Sequence, residues 1–125
     1  MLENIRVSVR CVTYNHAPYI DRCLRSLVSQ KTSFAYEVIV FDDASNDGTS
    51  DIVRSYAERY PEIVVPVIHS ENRYSKGLEA DDGFLDLAKG DLIAFCEGDD
   101  YWCSEYKLQK QFDFMVAHPE CTLCT

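Results

Sequence analysis

The chain has 125 residues, 46% of them hydrophobic and 12% aromatic, with five Gly and four Pro, which suits one globular domain and excludes a disordered tail. Its 21 acidic residues outnumber 12 basic ones, for a net charge of −9; this argues against nucleic acid and anionic membrane surfaces as partners, because counterion release needs clustered Lys and Arg. No run is long enough for a transmembrane segment and "MLENIRVSVR" lacks the pattern of a secretory signal, so the expected address is cytoplasmic, with peripheral membrane attachment left open.

In chain order, "IRVSVRCV" (5–12) reads as a first strand. "APYIDRCLRSLVSQ" follows, with Ile20, Cys23, Leu24, Leu27 and Val28 on one helical stripe and Pro18 in the first turn. "YEVIVF" (36–41) is a second strand, ended by the turn-rich "DDASNDGT". A helix over about 50–60 carries Ile52, Val53, Tyr56, Ala57 and Tyr60 inward, until Pro61 stops it. "IVVPVIHS" (63–70) is a third strand, and Pro66 marks it as an edge strand.

After the loop "ENRYSKG", Leu78 to Lys89 reads as a weaker helix with Phe84, Leu85 and Ala88 inward. "DLIAFCE" (91–97) is a fourth strand, expected to be buried, and "KLQKQFDFMVAHP" a fourth helix. "CTLCT" at the end looks like a fifth strand cut short, so residues 1–125 read as a single but incomplete domain. Strands alternating with helices mean βαβ units, right-handed crossovers and a mostly parallel sheet with helices on both faces, an α/β fold.

The six cysteines (11, 23, 96, 103, 121, 124) include one CxxC, at Cys121 and Cys124. A structural zinc site needs a second pair at such spacing, so they read as reduced core thiols. In open parallel sheets ligands bind beyond the carboxyl ends of the strands, where the strand order reverses. Three polar clusters fall there: "TYNH" (13–16), "DDASNDG" (42–48) and "EGDD" (97–100).

Glu97, Asp99 and Asp100 crowd three carboxylates into four positions. Two such charges about 5 Å apart repel by roughly 3 kcal/mol at an effective dielectric near 20, which a divalent cation would remove. In extended chain Glu97 and Asp99 point the same way, a hard-oxygen arrangement suited to Mg²⁺ or Mn²⁺. A solvated acidic turn is the plainer alternative. Neither GxGxxG nor GxxxxGK is present, so dinucleotide and P-loop readings lack their fingerprints.

Taken together, "VSVRCVTYNHAPYIDRCLRSLVSQ", "YEVIVFDDASNDGT", "ENRYSKG" and "GDLIAFCEGDDYW…KLQKQFDFM" resemble the family-2 glycosyltransferases, in order and spacing, over essentially the whole chain. The resemblance implies a Rossmann-like GT-A fold and sugar transfer from a nucleotide-diphosphate donor, a UDP-sugar foremost, to a glycan or lipid-linked acceptor. Inversion at the anomeric carbon and Mg²⁺ or Mn²⁺ as cofactor are implied too. On the matching positions, Thr13 and Tyr14 contact the nucleotide. Asp42 and Asp43 are the paired aspartates, one touching the base and the other capping the following turn.

By the same resemblance Arg73 and Lys76 lie near the diphosphate, solvated surface charge being the alternative. Glu97 and Asp99 occupy the DxD motif, with Asp99 the direct metal ligand and Asp100 a second candidate. Glu97 departs from the pattern, and its longer side chain is expected to reach ribose or metal through water. No catalytic residue is assigned, because the resembling family's base is expected beyond Thr125. Two other readings stay open: a related nucleotidyltransferase, and a non-catalytic α/β domain that binds protein on its acidic edge. Of the remaining polar residues, Arg10 is expected to pair with a carboxylate and His16 to help start the first helix. His69 and His118 read as strand-end and helix-end residues, and Tyr101 and Trp102 as packing for the fourth helix.

Overall fold

The computed structural model describes residues 4–70 and 83–120. Its elements in chain order are β1 (Ile5–Thr13), α1 (Ala17–Val28), β2 (Ala35–Asp42), α2 (Thr49–Arg59), β3 (Val64–Ile68), α3 (Phe84–Leu87), β4 (Leu92–Phe95) and α4 (Lys107–Ala117). The four strands are all parallel, in the order β3-β2-β1-β4. β3 is an edge strand, as its Pro66 requires, and that residue is exposed. Among the described residues no helix is long and apolar enough to cross a membrane.

Alternation along the strands builds two apolar layers. Val7, Val9 and Cys11 of β1 join Tyr36, Val38 and Val40 of β2 under the helical stripe Ile20, Cys23, Leu24 and Leu27, with Val53, Tyr56 and Leu108 completing the cluster. Val9, Ile20, Leu24, Leu27, Val38 and Val40 have no exposed surface. Each aliphatic side chain buried so completely contributes roughly 1.5–3 kcal/mol. On the opposite face Ile39, Phe41 and Phe84 form a smaller cluster with Val12, Val65 and Val67 around it. Arg10 lies on this face, its guanidinium 5.8 Å from the Phe41 ring centre and 6.0 Å from that of Phe84.

Two sequence expectations need correction. The helix read over 78–89 is a single turn in its described part, Phe84–Leu87. The Lys89 amide that would extend it donates instead to the buried Glu37 carboxylate at 2.7 Å, and Ser8 Oγ donates to the same oxygen at 2.6 Å. The next residue, Gly90, abuts β1 so closely that a Cβ there would sit 2.7 Å from Ser8 N. The second correction concerns β4, which is neither seven residues long nor buried. It ends at Phe95 and forms an edge of the sheet, with Ile93 41% and Phe95 65% exposed.

Cys11, Cys23 and Cys96 are buried free thiols, as expected of core cysteines, whereas Cys103 is free and exposed. The fifth strand, the CxxC pair, Arg73 and Lys76 lie outside the described residues.

Candidate functional site

With β1 flanked by β2 on one side and β4 on the other, the chain leaves the sheet in opposite directions from neighbouring strand ends. This is the switch point at which open α/β sheets form their ligand crevice. The loop after β1, the loop after β2 and the turn after β4 meet there.

The first two loops are stitched together by side chains. Asn15, with φ of 51°, donates its amide to Ser45 Oγ at 2.8 Å and accepts the Asn46 amide on its Oδ1 at 2.9 Å. Asp47 Oδ2 accepts the Ala17 amide at 3.1 Å, joining the second loop to the start of α1. Its other oxygen accepts from the Thr49 amide at 3.1 Å and from Thr49 Oγ1 at 2.5 Å. The Thr49 hydroxyl holds the Asp47 carboxyl below the usual carboxylate range. His16 starts α1 through its carbonyl, which accepts the Tyr19 and Ile20 amides at 2.8 Å each.

The paired aspartates part company. Asp42 is fully buried, and its two oxygens accept the hydroxyls of Ser45 and Ser50. Asp43 turns to the other face, where its Oδ1 lies 3.6 Å from His69 Nδ1. Thr13 is fully buried as well, accepting the Asp43 amide at 3.0 Å and pairing its Oγ1 with His16 Nδ1 at 2.9 Å. Thr13 and Asp42 therefore present no side-chain surface to a ligand. Tyr14, 44% exposed, does.

Beyond β4 the chain stays beside β1, Cys96 donating to Arg10 O at 3.1 Å and Gly98 to Val12 O at 3.0 Å. It then turns, and the Asp100 amide closes on Glu97 O at 2.9 Å. The expectation that Glu97 and Asp99 share one side of an extended strand is thus corrected, because a turn sets their relation. Gly98 lies flat against the first loop. A Cβ there would come within 2.4 Å of Thr13 Oγ1 and 2.8 Å of His16 Nδ1. Glu97 O also accepts the thiols of Cys23 at 3.4 Å and Cys96 at 3.7 Å. The Cys11 neighbour and burial push the Cys23 thiol well up, and Cys23 and burial do the same to Cys96. Both remain S–H donors rather than nucleophiles.

The carboxylates of Glu97, Asp99 and Asp100 are exposed. Among the described residues no three His, Cys, Asp or Glu side chains form a group that could hold a metal ion. This donor set suits Mg²⁺ or Mn²⁺ arriving with a ligand, since such ions take one or two carboxylates and fill their other positions with phosphate and water. The segment that follows the acids is anchored to α1. The Trp102 amide donates to Ser26 Oγ at 3.1 Å, while Gln30 donates to Ser104 O at 2.8 Å and accepts the Leu108 amide at 3.1 Å. Trp102 packs against the main core, and Tyr101, expected like it to pack the fourth helix, stays half exposed under the Arg22 guanidinium of α1, 4.5 Å from its ring centre.

Sequence reading passed over Ser45, Ser50, Asp47 and Gln30. Ser45 and Asp47 lie in a stretch read as a turn-rich polar cluster, and Ser50 at the start of the second helix. Gln30 carried no signal, because the partners it joins to α1, Ser104 and Leu108, are more than 70 residues away.

Residues 8–125 match glycosyl transferase family 2. The putative teichuronic acid biosynthesis glycosyltransferase TuaG of Bacillus subtilis is 37% identical over 110 residues, which is 88% of this chain and 42% of that protein. The mannosyltransferase PcManGT of Pyrobaculum calidifontis, solved with GDP-Man and Mn²⁺, superposes with a TM-score of 0.74 at 27% identity, over 93% of this chain and 36% of its own. S. aureus TarS 1–349 in complex with UDP superposes with a TM-score of 0.72 at 28% identity, over 92% of this chain and 33% of its own. The chain spans 16% to 42% of the length of curated relatives that it matches. Its four parallel strands and flanking helices form a GT-A sheet, and by both sequence and structure the chain belongs to glycosyl transferase family 2.

Proposed function

We propose that this chain carries the donor site of an enzyme that transfers a sugar from a nucleoside diphosphate, UDP foremost, to a glycan or lipid-linked hydroxyl, with inversion at the anomeric carbon. The observation that carries the reading is that the end of β1 and the loop after it touch the Asp43 loop on one side and the acidic turn 97–100 on the other, at the switch point of the sheet. The complexes of PcManGT with GDP-Man and Mn²⁺ and of TarS with UDP support it.

In this reading Asp43 accepts the base N–H and Tyr14 lies against the base. Thr13 and Asp42 act from beneath, holding the two loops in place. Arg73 and Lys76 are assigned to the diphosphate. Asp99 and Asp100 hold Mg²⁺ or Mn²⁺, with Glu97 acting through water. When bound, the ion supplies Lewis-acid neutralisation of charge on the departing diphosphate. An in-line displacement also needs a base opposite the leaving group to take the acceptor's proton, and no residue of 1–125 is given that role.

Calorimetry with UDP tests the reading. The expected result is binding in Mn²⁺ that weakens at least about tenfold with EDTA, roughly 1.4 kcal/mol, and by the same factor in Asp99→Ala with Mn²⁺ present. No heat with any nucleoside diphosphate, with or without metal, would overturn it.

A further inference from the structure

The four residues of β4 are all apolar, and they pair with β1 in the register Val7↔Leu92 to Arg10↔Phe95. Such a pattern specifies register weakly, since a slip of one residue exchanges one apolar pair for the other across the sheet. It would nonetheless carry the acidic turn about 3.3 Å along β1, whereas a binding constellation must be held to about 0.5 Å. At the exit from β4 the close fit of Gly98 excludes a bulkier residue. At the entry the chain is held by an attraction.

Ser8 of β1 stands opposite Glu37 of β2 in one register and opposite Ile93 of β4 in the other. Glu37 is 1% exposed, and its Oε2 accepts Ser8 Oγ at 2.6 Å and the Lys89 amide at 2.7 Å. The Gly90 amide in turn donates to Ser8 Oγ at 2.8 Å. One buried carboxylate thus reaches across β1 to two successive amides leading into β4, to Lys89 directly and to Gly90 through Ser8. A buried carboxylate that loses a donor is costly, so departure of this segment is penalised. Gly90 makes the hold selective: a Cβ at its position would lie 2.7 Å from Ser8 N and from Val7 C. A slip of one residue would bring Lys89 or Asp91 there, against backbone that has nowhere to move.

We propose that Glu37 is a positioning residue for the acidic turn: it pins the chain entering β4, and so fixes the register that sets where Glu97, Asp99 and Asp100 stand beside the loop after β1. This rests on the reading of those acids as the residues that hold the metal ion. Glu37 acts at the opposite end of the strands from the proposed ligand, so its removal separates the metal's contribution from that of the base, which is assigned to the loops after β1 and β2.

The test is calorimetry of UDP with Mn²⁺ and with EDTA, joined to native-state hydrogen exchange. Glu37→Leu fills the space without an acceptor; it should cut the gain in UDP affinity from Mn²⁺ from at least about tenfold to below about threefold, with the affinity in EDTA unchanged. Glu37→Gln keeps an oxygen for the two donors and should retain most of the gain. In the unmodified chain the Lys89 amide should be protected at least as well as the Cys96 amide, because β4 cannot leave before its pin does. A freely exchanging Lys89 amide beside a protected Cys96 would overturn the proposal without any variant having to fold. So would an undiminished Mn²⁺ gain in Glu37→Leu, an equal loss in Mn²⁺ and in EDTA, or a loss in Glu37→Gln as large as in Glu37→Leu, each leaving the donor site standing. Absence of any Mn²⁺ gain in the unmodified chain would end the metal reading and this proposal together.

Discussion

Asp42 and Asp43 are chemically identical neighbours with opposite surroundings, one sealed under two serine hydroxyls and the other facing His69. Hydrogen bonds to a charged group are worth about 1.5–3 kcal/mol each. Asp42→Ala is therefore expected to lower unfolding free energy by about 2–4 kcal/mol in a denaturant titration, since it strands both hydroxyls. Asp43→Ala should weaken UDP. A reversed outcome would exchange the two roles. That one aspartate caps the turn was legible in "DDASNDG". Which one does so was not, because β2 is mostly apolar on both faces and its pattern does not mark the helix side. The identity of Gly98 had a similar fate: its small size is explained only once Thr13 and His16 lie against it.

At the level of elements, the loop after β2 is held to the start of α1 by Asp47, whose carboxyl is kept below its ordinary value of 3.8 by the Thr49 hydroxyl. The unfolded chain takes up protons there before the folded one does, so stability rises with pH through this range. The Asp47 contribution is complete above about pH 3.8 and fades as pH falls through the lower, folded value. Asp47→Ala should melt below the parent at pH 6, and the gap should narrow as the melts are taken below pH 3.8. A gap independent of pH would remove Asp47 from the account. Element order, and the parallel pairing it implies, was legible from alternating periodicities. The shortened α3 was not, because the Glu37 carboxylate that captures Lys89 N lies 52 positions away and local pattern carries no trace of it. β4 looked buried because its four residues are all apolar, yet two of them face outward at the sheet edge.

Across the whole molecule, a net charge of −9 opposes any diphosphate that approaches without a cation. The acidic turn adds to that field at the place where the ligand is proposed to bind. Under the proposed function this would give the divalent ion an entry role as well as a chemical one. The sheet order that creates the crevice has a further cost in assembly. β1, β2 and β3 pair as successive neighbours, but β4 must come back past them to reach the far side of β1, a closure marked by the Arg6–Asp91 ion pair 85 positions apart. Long-range closures are slow, because chain entropy is lost before the contacts that reward it form. With four residues and one partner strand among the described residues, β4 is expected to be the last strand on and the first to detach. Native-state hydrogen exchange should find the Cys96 amide opening at least about tenfold more readily than the Val38 and Val40 amides. Equal protection would mean that the acidic turn is locked as firmly as the sheet's centre; unequal protection would mean that half of the crevice breathes while the other half stays shut.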